Sequence, residues 1–174
     1  WFKNRNGTGA FADEILIWEG DYPVDGGWQA LAGKLNNDSY PDVIALYNKS
    51  NIYSEITWFE GTAQQTNLDR KSLYFEEKRF NDWGITDINN DGKVDLVASA
   101  YDNQIFYNNE VVYVFLADGF ENAYHHPVRI PSLLSNISLV DLDEAGDIAI
   151  LGSNDDENWA GWLENDKLNF MQWL

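Results

Sequence analysis

The chain has 174 residues, with 11 Lys and Arg against 29 Asp and Glu and a formal net charge of −18. So acidic a surface repels nucleic acid and anionic membranes and attracts cations, while 44% hydrophobic and 15% aromatic residues are too many for a disordered acidic tail. The absence of cysteine excludes disulfides and thiolate metal sites, and no apolar run approaches the roughly 18 residues of a membrane helix.

From the amino terminus, the chain opens on Trp1 without a visible signal peptide, which reads as a processed or trimmed chain. Its first eleven residues, WFKNRNGTGAF, introduce an aromatic landmark that returns as ITWFEG (56–61), VYVFLAD (112–118) and AGWLEND (160–166). Before each later landmark lies an acidic stretch: GKLNNDSYPDVIAL (33–46), TDINNDGKVDLVAS (86–99) and VDLDEAGDIAILG (140–152). Aligned on Asp42, Asp95 and Asp147, these copies are 53 and 52 residues apart. Within the middle copy, short apolar runs bounded by Gly, Asn and Asp predict strands at about 84–88, 95–101, 110–117 and 124–130. The run VVYVFLA (111–117) reads as a buried strand.

Four strands in about 50 residues, repeated, predict an all-β chain built as a β-propeller of four-stranded blades. The organisation is a single segment over 1–174, with a partial blade at 1–20 and blades at about 28–80, 83–131 and 137–174. It begins and ends mid-repeat, so unpaired strand edges are expected at both ends.

TDINNDGKVDLVAS concentrates acids for a reason. Neighbouring carboxylates repel unless something positive sits between them. Alternate residues of a tight loop point inward together, so Asp87, Asn89 and Asp91 offer three side-chain oxygens. Gly92 permits a positive φ that turns the loop back, the Lys93 carbonyl adds a fourth donor, and Asp95 closes the site from the next strand. Calcium takes six to eight oxygens at about 2.3–2.6 Å, whereas magnesium prefers to keep its waters, so calcium is the expected cofactor.

The stretch DINNDGKVDLV resembles the FG-GAP/VCBS repeat, the calcium-loop blade also found in integrin α-chain propellers, and WFEG and WLEN resemble the WFEN that follows it. Residues 87–95 match every fixed position of the pattern D-x-[DN]-x-D-G-x-x-D, and the resemblance covers nearly the whole chain. It implies blades whose loop between the first two strands holds calcium, in secreted or cell-surface proteins used for adhesion or ligand binding.

The other two loops depart from the pattern. In the first, Asn36, Asp38, the Tyr40 carbonyl and Asp42 hold ligand positions. Lys34 stands where the first carboxylate should be, and its ammonium would form an ion pair in the metal's place, while Pro41 stiffens the loop. In the third, Asp141 and Asp143 align with Asp87 and Asn89, but the loop to Asp147 counts two residues shorter. The middle carboxylate and its Gly are then missing, and a simple tight turn is expected.

Trp1, Trp58 and Trp162 recur at one repeat position, which predicts packing between blades; Trp18, Trp28, Trp83 and Trp159 fall in or near loops. His125 and His126 are adjacent, so on a strand they face opposite ways and cannot share a metal. No nucleophile elbow, zinc-helix motif or phosphate loop occurs. Four N-x-[ST] sequons, at Asn6, Asn37, Asn48 and Asn136, suit a glycosylated secreted chain.

The expectation is a non-catalytic calcium-binding propeller module, extracellular or on the cell surface, for adhesion or recognition of a protein or glycan. Its partners would also include copies of itself or the rest of a longer propeller, and neither nucleic acid nor membrane insertion. Two other readings are a self-assembling structural subunit of a fibre or surface layer, and an accessory domain of a polysaccharide-active enzyme.

Overall fold

A computed structural model describes residues 1–5, 7, 9–19, 28–36, 38–48, 53–64, 66, 68–76, 78–101, 110–117, 128–132, 134–154 and 158–165, the side chains of 28, 74–76 and 131 excepted. Every regular element among them is a β-strand, so the chain is all-β. A hairpin pairs β1 (Phe2–Arg5) with β2 (Ala10–Glu14). The first large sheet follows chain order through β3 (Trp28–Gly33), β4 (Asp42–Asn48), β5 (Ser54–Phe59) and β6 (Arg70–Glu76). The second does the same through β7 (Arg79–Thr86), β8 (Asp95–Tyr101), β9 (Glu110–Phe115) and β10 (Val128–Pro131). The third joins β11 (Asn136–Val140), β12 (Ala149–Asn154) and β13 (Trp159–Leu163). All pairing is antiparallel.

The central strands of the first two large sheets are apolar on both faces because each of these sheets lies between two layers. On β8 and β9, Leu96, Ala98, Tyr113 and Phe115 pack toward Ile44 and Trp58 of the first sheet. The alternate residues Val97, Val112 and Val114 pack toward Ile137 and Ile150 of the third. A period of two thus feeds two cores from one strand. Phe80 meets Tyr113 and Phe115 edge-on, each at 6.2 Å between ring centroids, geometry that adds about 0.5–1.5 kcal/mol per pair to area burial.

Polar contacts fix the layers in register. Asn48 Nδ2 donates to the Phe80 carbonyl at 3.1 Å, joining the first and second sheets. Between the second and third, Asp82 Oδ2 accepts the Ile137 N–H at 2.9 Å and Ser99 Oγ donates to the Ser135 carbonyl at 2.5 Å. After the hairpin, Ile17 and Trp18 cover the remaining face of the first sheet at Ala45, Phe59 and Leu68. The Arg70 guanidinium lies 5.1 Å over the Trp18 ring.

Two expectations are corrected. The strand expected at 84–88 runs from Arg79 to Thr86: Asn81 and Asp82 look like loop residues, but Asp82 spends its carboxylate on the third sheet's backbone. Trp83 is not in a loop; it is buried on β7, while Trp28 and Trp159 begin β3 and β13. The residues 124–127 expected to open the fourth strand, including His125 and His126, lie outside the described residues.

Candidate metal centre

Three loops, each joining the first two strands of a large sheet, carry the acidic side chains. Between β7 and β8, Thr86 pairs with Asp95, so residues 87–94 form the loop. Asp87 folds it: Oδ1 accepts the Asp91 N–H at 3.0 Å and Oδ2 accepts the Gly92 N–H at 2.8 Å. Asn89 Oδ1 also accepts the Asp91 N–H at 3.0 Å, and Asp91 Oδ1 accepts the Lys93 N–H at 2.9 Å. Asn89 Nδ2 donates to Asp91 Oδ2 at 3.2 Å. Gly92, at φ 86°, makes the turn expected of it, and Asn90 shares the left-handed region at φ 58°. A carboxylate has about four lone-pair sites, so these oxygens are oriented by one or two N–H groups and keep capacity for a cation.

Asp95 is fully buried at the head of β8. Its Oδ2 accepts the Ile88 N–H at 3.0 Å and its Oδ1 the Ala117 N–H at 2.7 Å. Burial pushes its carboxyl up from the ordinary 3.8 to about 6; the two N–H groups oppose this, and the charges of Asp91 and Asp87 reinforce it. The group therefore sits in a field of like charge, which a cation in the loop would reverse.

The first loop repeats the scaffold without the first carboxylate. Asp42 Oδ2 accepts the Leu35 N–H at 2.9 Å and Oδ1 the Gly61 N–H at 2.7 Å, as Asp95 does one sheet later. Asn36 Oδ1 accepts the Asp38 N–H at 3.0 Å, and Asp38 Oδ1 accepts the Tyr40 N–H at 2.7 Å. Asn36 Nδ2 also donates to Glu60, whose other oxygen pairs with Lys71 at 2.7 Å. Among the described residues Lys34 makes no ion pair.

The third loop is not shortened. Val140 pairs with Ala149 just as Thr86 pairs with Asp95, so the loop spans 141–148 and keeps its full length. Gly146, at φ 86°, takes the place of Gly92 and donates its N–H to Asp141 Oδ2 at 2.9 Å. Glu144, at φ 61°, takes that of Asn90, and Ala145 donates to Asp143 Oδ1 at 3.0 Å. What changed is the closing residue, Ala149, while Asp147 holds the Lys93 position. Carboxylate oxygens of Asp141, Asp143 and Asp147 come within 4.8 Å of one another. Asp141 Oδ1 is buried and accepts no hydrogen bond. A cleft of about 220 Å³ opens beside them, lined by Leu142, Asp143, Asp147, Trp162, Glu164 and Asn165.

The loops also touch one another, through Asn90, a variable position of the loop pattern, and Asn165, the last residue of WLEN, anchors the loop 87–95 from beyond β13. Asn90 Nδ2 donates to the Gly146 carbonyl at 3.0 Å, and Asn165 Nδ2 donates to the buried Ile88 carbonyl at 2.6 Å.

Of the sequons, Asn6 and Asn37 lie outside the described residues. Asn136 is exposed. Asn48 is half-buried, and the nitrogen a glycan would join donates to Phe80 while its oxygen accepts from Ser54 Oγ at 2.5 Å. No protein-family model matches the chain, and no curated protein matches it. Among the described residues no helix is long and apolar enough to cross a membrane.

Proposed function

We propose that the chain is a calcium-binding, non-catalytic β-propeller segment that serves adhesion or recognition of a protein or glycan outside the cell. The observation that carries this reading is the loop 87–95. Its side chains are held by backbone N–H groups, while the Asp95 carboxyl is raised by its burial and, to a lesser degree, by the charges of Asp91 and Asp87. A hard cation satisfies that arrangement, and the donor set is all oxygen. Asp87, Asn89, Asp91 and Asp95 would hold it by their side chains and Lys93 by its carbonyl. The bound ion would neutralise the cluster and lock the loop. Asp141, Asp143 and Asp147 offer a second such loop, with Asp147 supplying the charge that Ala149 lacks. The propeller reading is supported by sheets of one strand order, packed face to face, with the same closing aspartate in two of them.

Thermal melting against calcium tests the proposal. The melting temperature rises with calcium, much less with magnesium, and returns on chelation; Asp91→Ala reduces the response to what the loop 141–148 supplies. A variant that still responds like its parent would refute the loop as the site. Binding to protein and glycan arrays, with calcium and with chelator, then identifies the ligand class.

A further inference from the structure

Ile88 lies between two residues of the cation loop, Asp87 and Asn89, so whatever fixes its backbone helps to set where their side chains point. It is held from three directions. Its N–H donates to Asp95 Oδ2 at 3.0 Å, within its own sheet. Its side chain, 1% exposed, packs in one cluster with Ile137 and Ile150 of the third sheet. Its carbonyl accepts a hydrogen bond from Asn165 Nδ2 at 2.6 Å, two residues beyond the end of β13. Asn165 is itself only 5% exposed, so neither group of this bond has water to replace its partner. The neighbouring sheet thus holds both the side chain and the carbonyl.

Ladder register shows that this amide is not a general feature of the fold. Phe59, Phe115 and Leu163 pair with Val43, Leu96 and Ile150, so Gly61, Ala117 and Asn165 occupy one position in the three sheets. Gly61 and Ala117 give their backbone N–H to the closing aspartates Asp42 and Asp95. The third sheet has Ala149 in place of that aspartate, and its residue at this position turns a side-chain donor toward the loop of the sheet before it. In the first loop the counterpart of Ile88 is Leu35, which packs in one cluster with Ala117, a residue without a side-chain donor. That loop is also the one in which Lys34 replaces the first carboxylate. Of these two loops, the amide stands beside the one that carries every ligand position.

We infer that Asn165 is a positioning residue for the cation loop 87–95. It touches no ligand side chain; it holds the Ile88 backbone, and through it Asp87 and Asn89, in the arrangement that binds the ion. Outer partners of this kind set the orientation of metal ligands and so the affinity of the site. The inference rests on the calcium reading above and adds to it that one ion site is built by two sheets.

Calcium titration followed by nuclear magnetic resonance tests it, because the Gly92 amide reports on this loop separately from the loop 141–148. Asn165→Ala weakens the calcium affinity read at Gly92 by about 10–100-fold, the usual cost of losing an outer partner. Asn165→Leu, which keeps side-chain volume but not the donor, does the same. A merely structural role would lower stability and leave the affinity of the folded chain unchanged. In calcium-free protein both variants speed amide exchange at Ile88, while Leu35, its counterpart in the first sheet, exchanges as in the parent. In the parent itself, the Asn165 side-chain amide resonances move with the same calcium midpoint as Gly92, a signature that needs no variant to fold. A parent whose Gly92 ignores calcium refutes the calcium reading and this inference with it. A parent in which Gly92 responds and the Asn165 amide does not overturns the inference alone. So does a folded Asn165 variant that binds calcium as tightly as the parent.

Discussion

Asp91 and Asp95 lie in one motif but differ in what their removal leaves behind. Asp95→Ala strips acceptors from two backbone N–H groups, those of Ile88 and Ala117, around a fully buried site. Each unsatisfied donor costs about 1–3 kcal/mol, so the variant is destabilised with or without calcium. Asp42→Ala repeats the effect at Leu35 and Gly61. Asp91, by contrast, is exposed. Its replacement by Ala changes calcium-free stability by no more than about 0.5 kcal/mol, and only the calcium response of its own loop disappears. Denaturant unfolding of the three variants, with and without calcium, separates the two roles. The raised Asp95 carboxyl also gives a pH signature in calcium-free protein. It binds its proton more tightly folded than unfolded, so its stabilising contribution is complete below about pH 3.8 and is lost as pH rises to about 6. At 1.36 kcal/mol per unit of pKa, the loss is at most about 3 kcal/mol. Compared with Asp95→Asn, the wild-type chain should lose stability more steeply across that window; parallel curves would show that the carboxyl is not raised.

At the level of strands, two contacts between neighbours carry testable energy. A methyl group on Gly152 of β12 would stand 2.6 Å from the Asn136 carbonyl oxygen and about as close as 3.0 Å to Leu134. Backbone cannot yield there, so Gly152→Ala should cost about 1–3 kcal/mol, read as a fall in the denaturant midpoint. Asp82→Ala removes the acceptor of the Ile137 N–H between the second and third sheets and should cost about 1–3 kcal/mol. Amide exchange is expected to accelerate at Ile137 in that variant, and unchanged protection there would argue against the contact. These elements also show what the sequence made legible. The short apolar run that Asp95 opens located the strand at 95–101, because a strand buried on both faces is apolar almost without a break. Asp147 misled, since by type it imitates Asp95, whereas ladder register aligns Ala149 with that position. Asp82 and Trp83 misled for the converse reason: a polar residue satisfied by another sheet looks, in one dimension, like a loop residue. The contacts of Asn90 and Asn165 span 56 and 77 residues, and no local pattern records a partner so distant.

For the molecule as a whole, calcium bound as proposed would act by mass action, because an unfolded chain does not assemble the loop. At 100 times the dissociation constant one site adds about 2.7 kcal/mol, which calorimetry should read as a melting temperature that climbs with calcium and falls on chelation. The link between Asn90 and Gly146 gives this gain a reach beyond one loop. Asn90 donates from a left-handed turn inside the loop 87–95 to the carbonyl of Gly146, the glycine that turns the loop 141–148. Whatever free energy immobilises residues 87–95 is thereby shared with residues 141–147, and linkage makes the debt of order mutual: a loop already stilled by its neighbour surrenders less entropy when its own ion arrives. Two ions filling such loops would then do so with positive cooperativity, and the steepness of the titration, compared between the parent chain and Asn90→Ala, measures how strongly one hydrogen bond makes two loops behave as one.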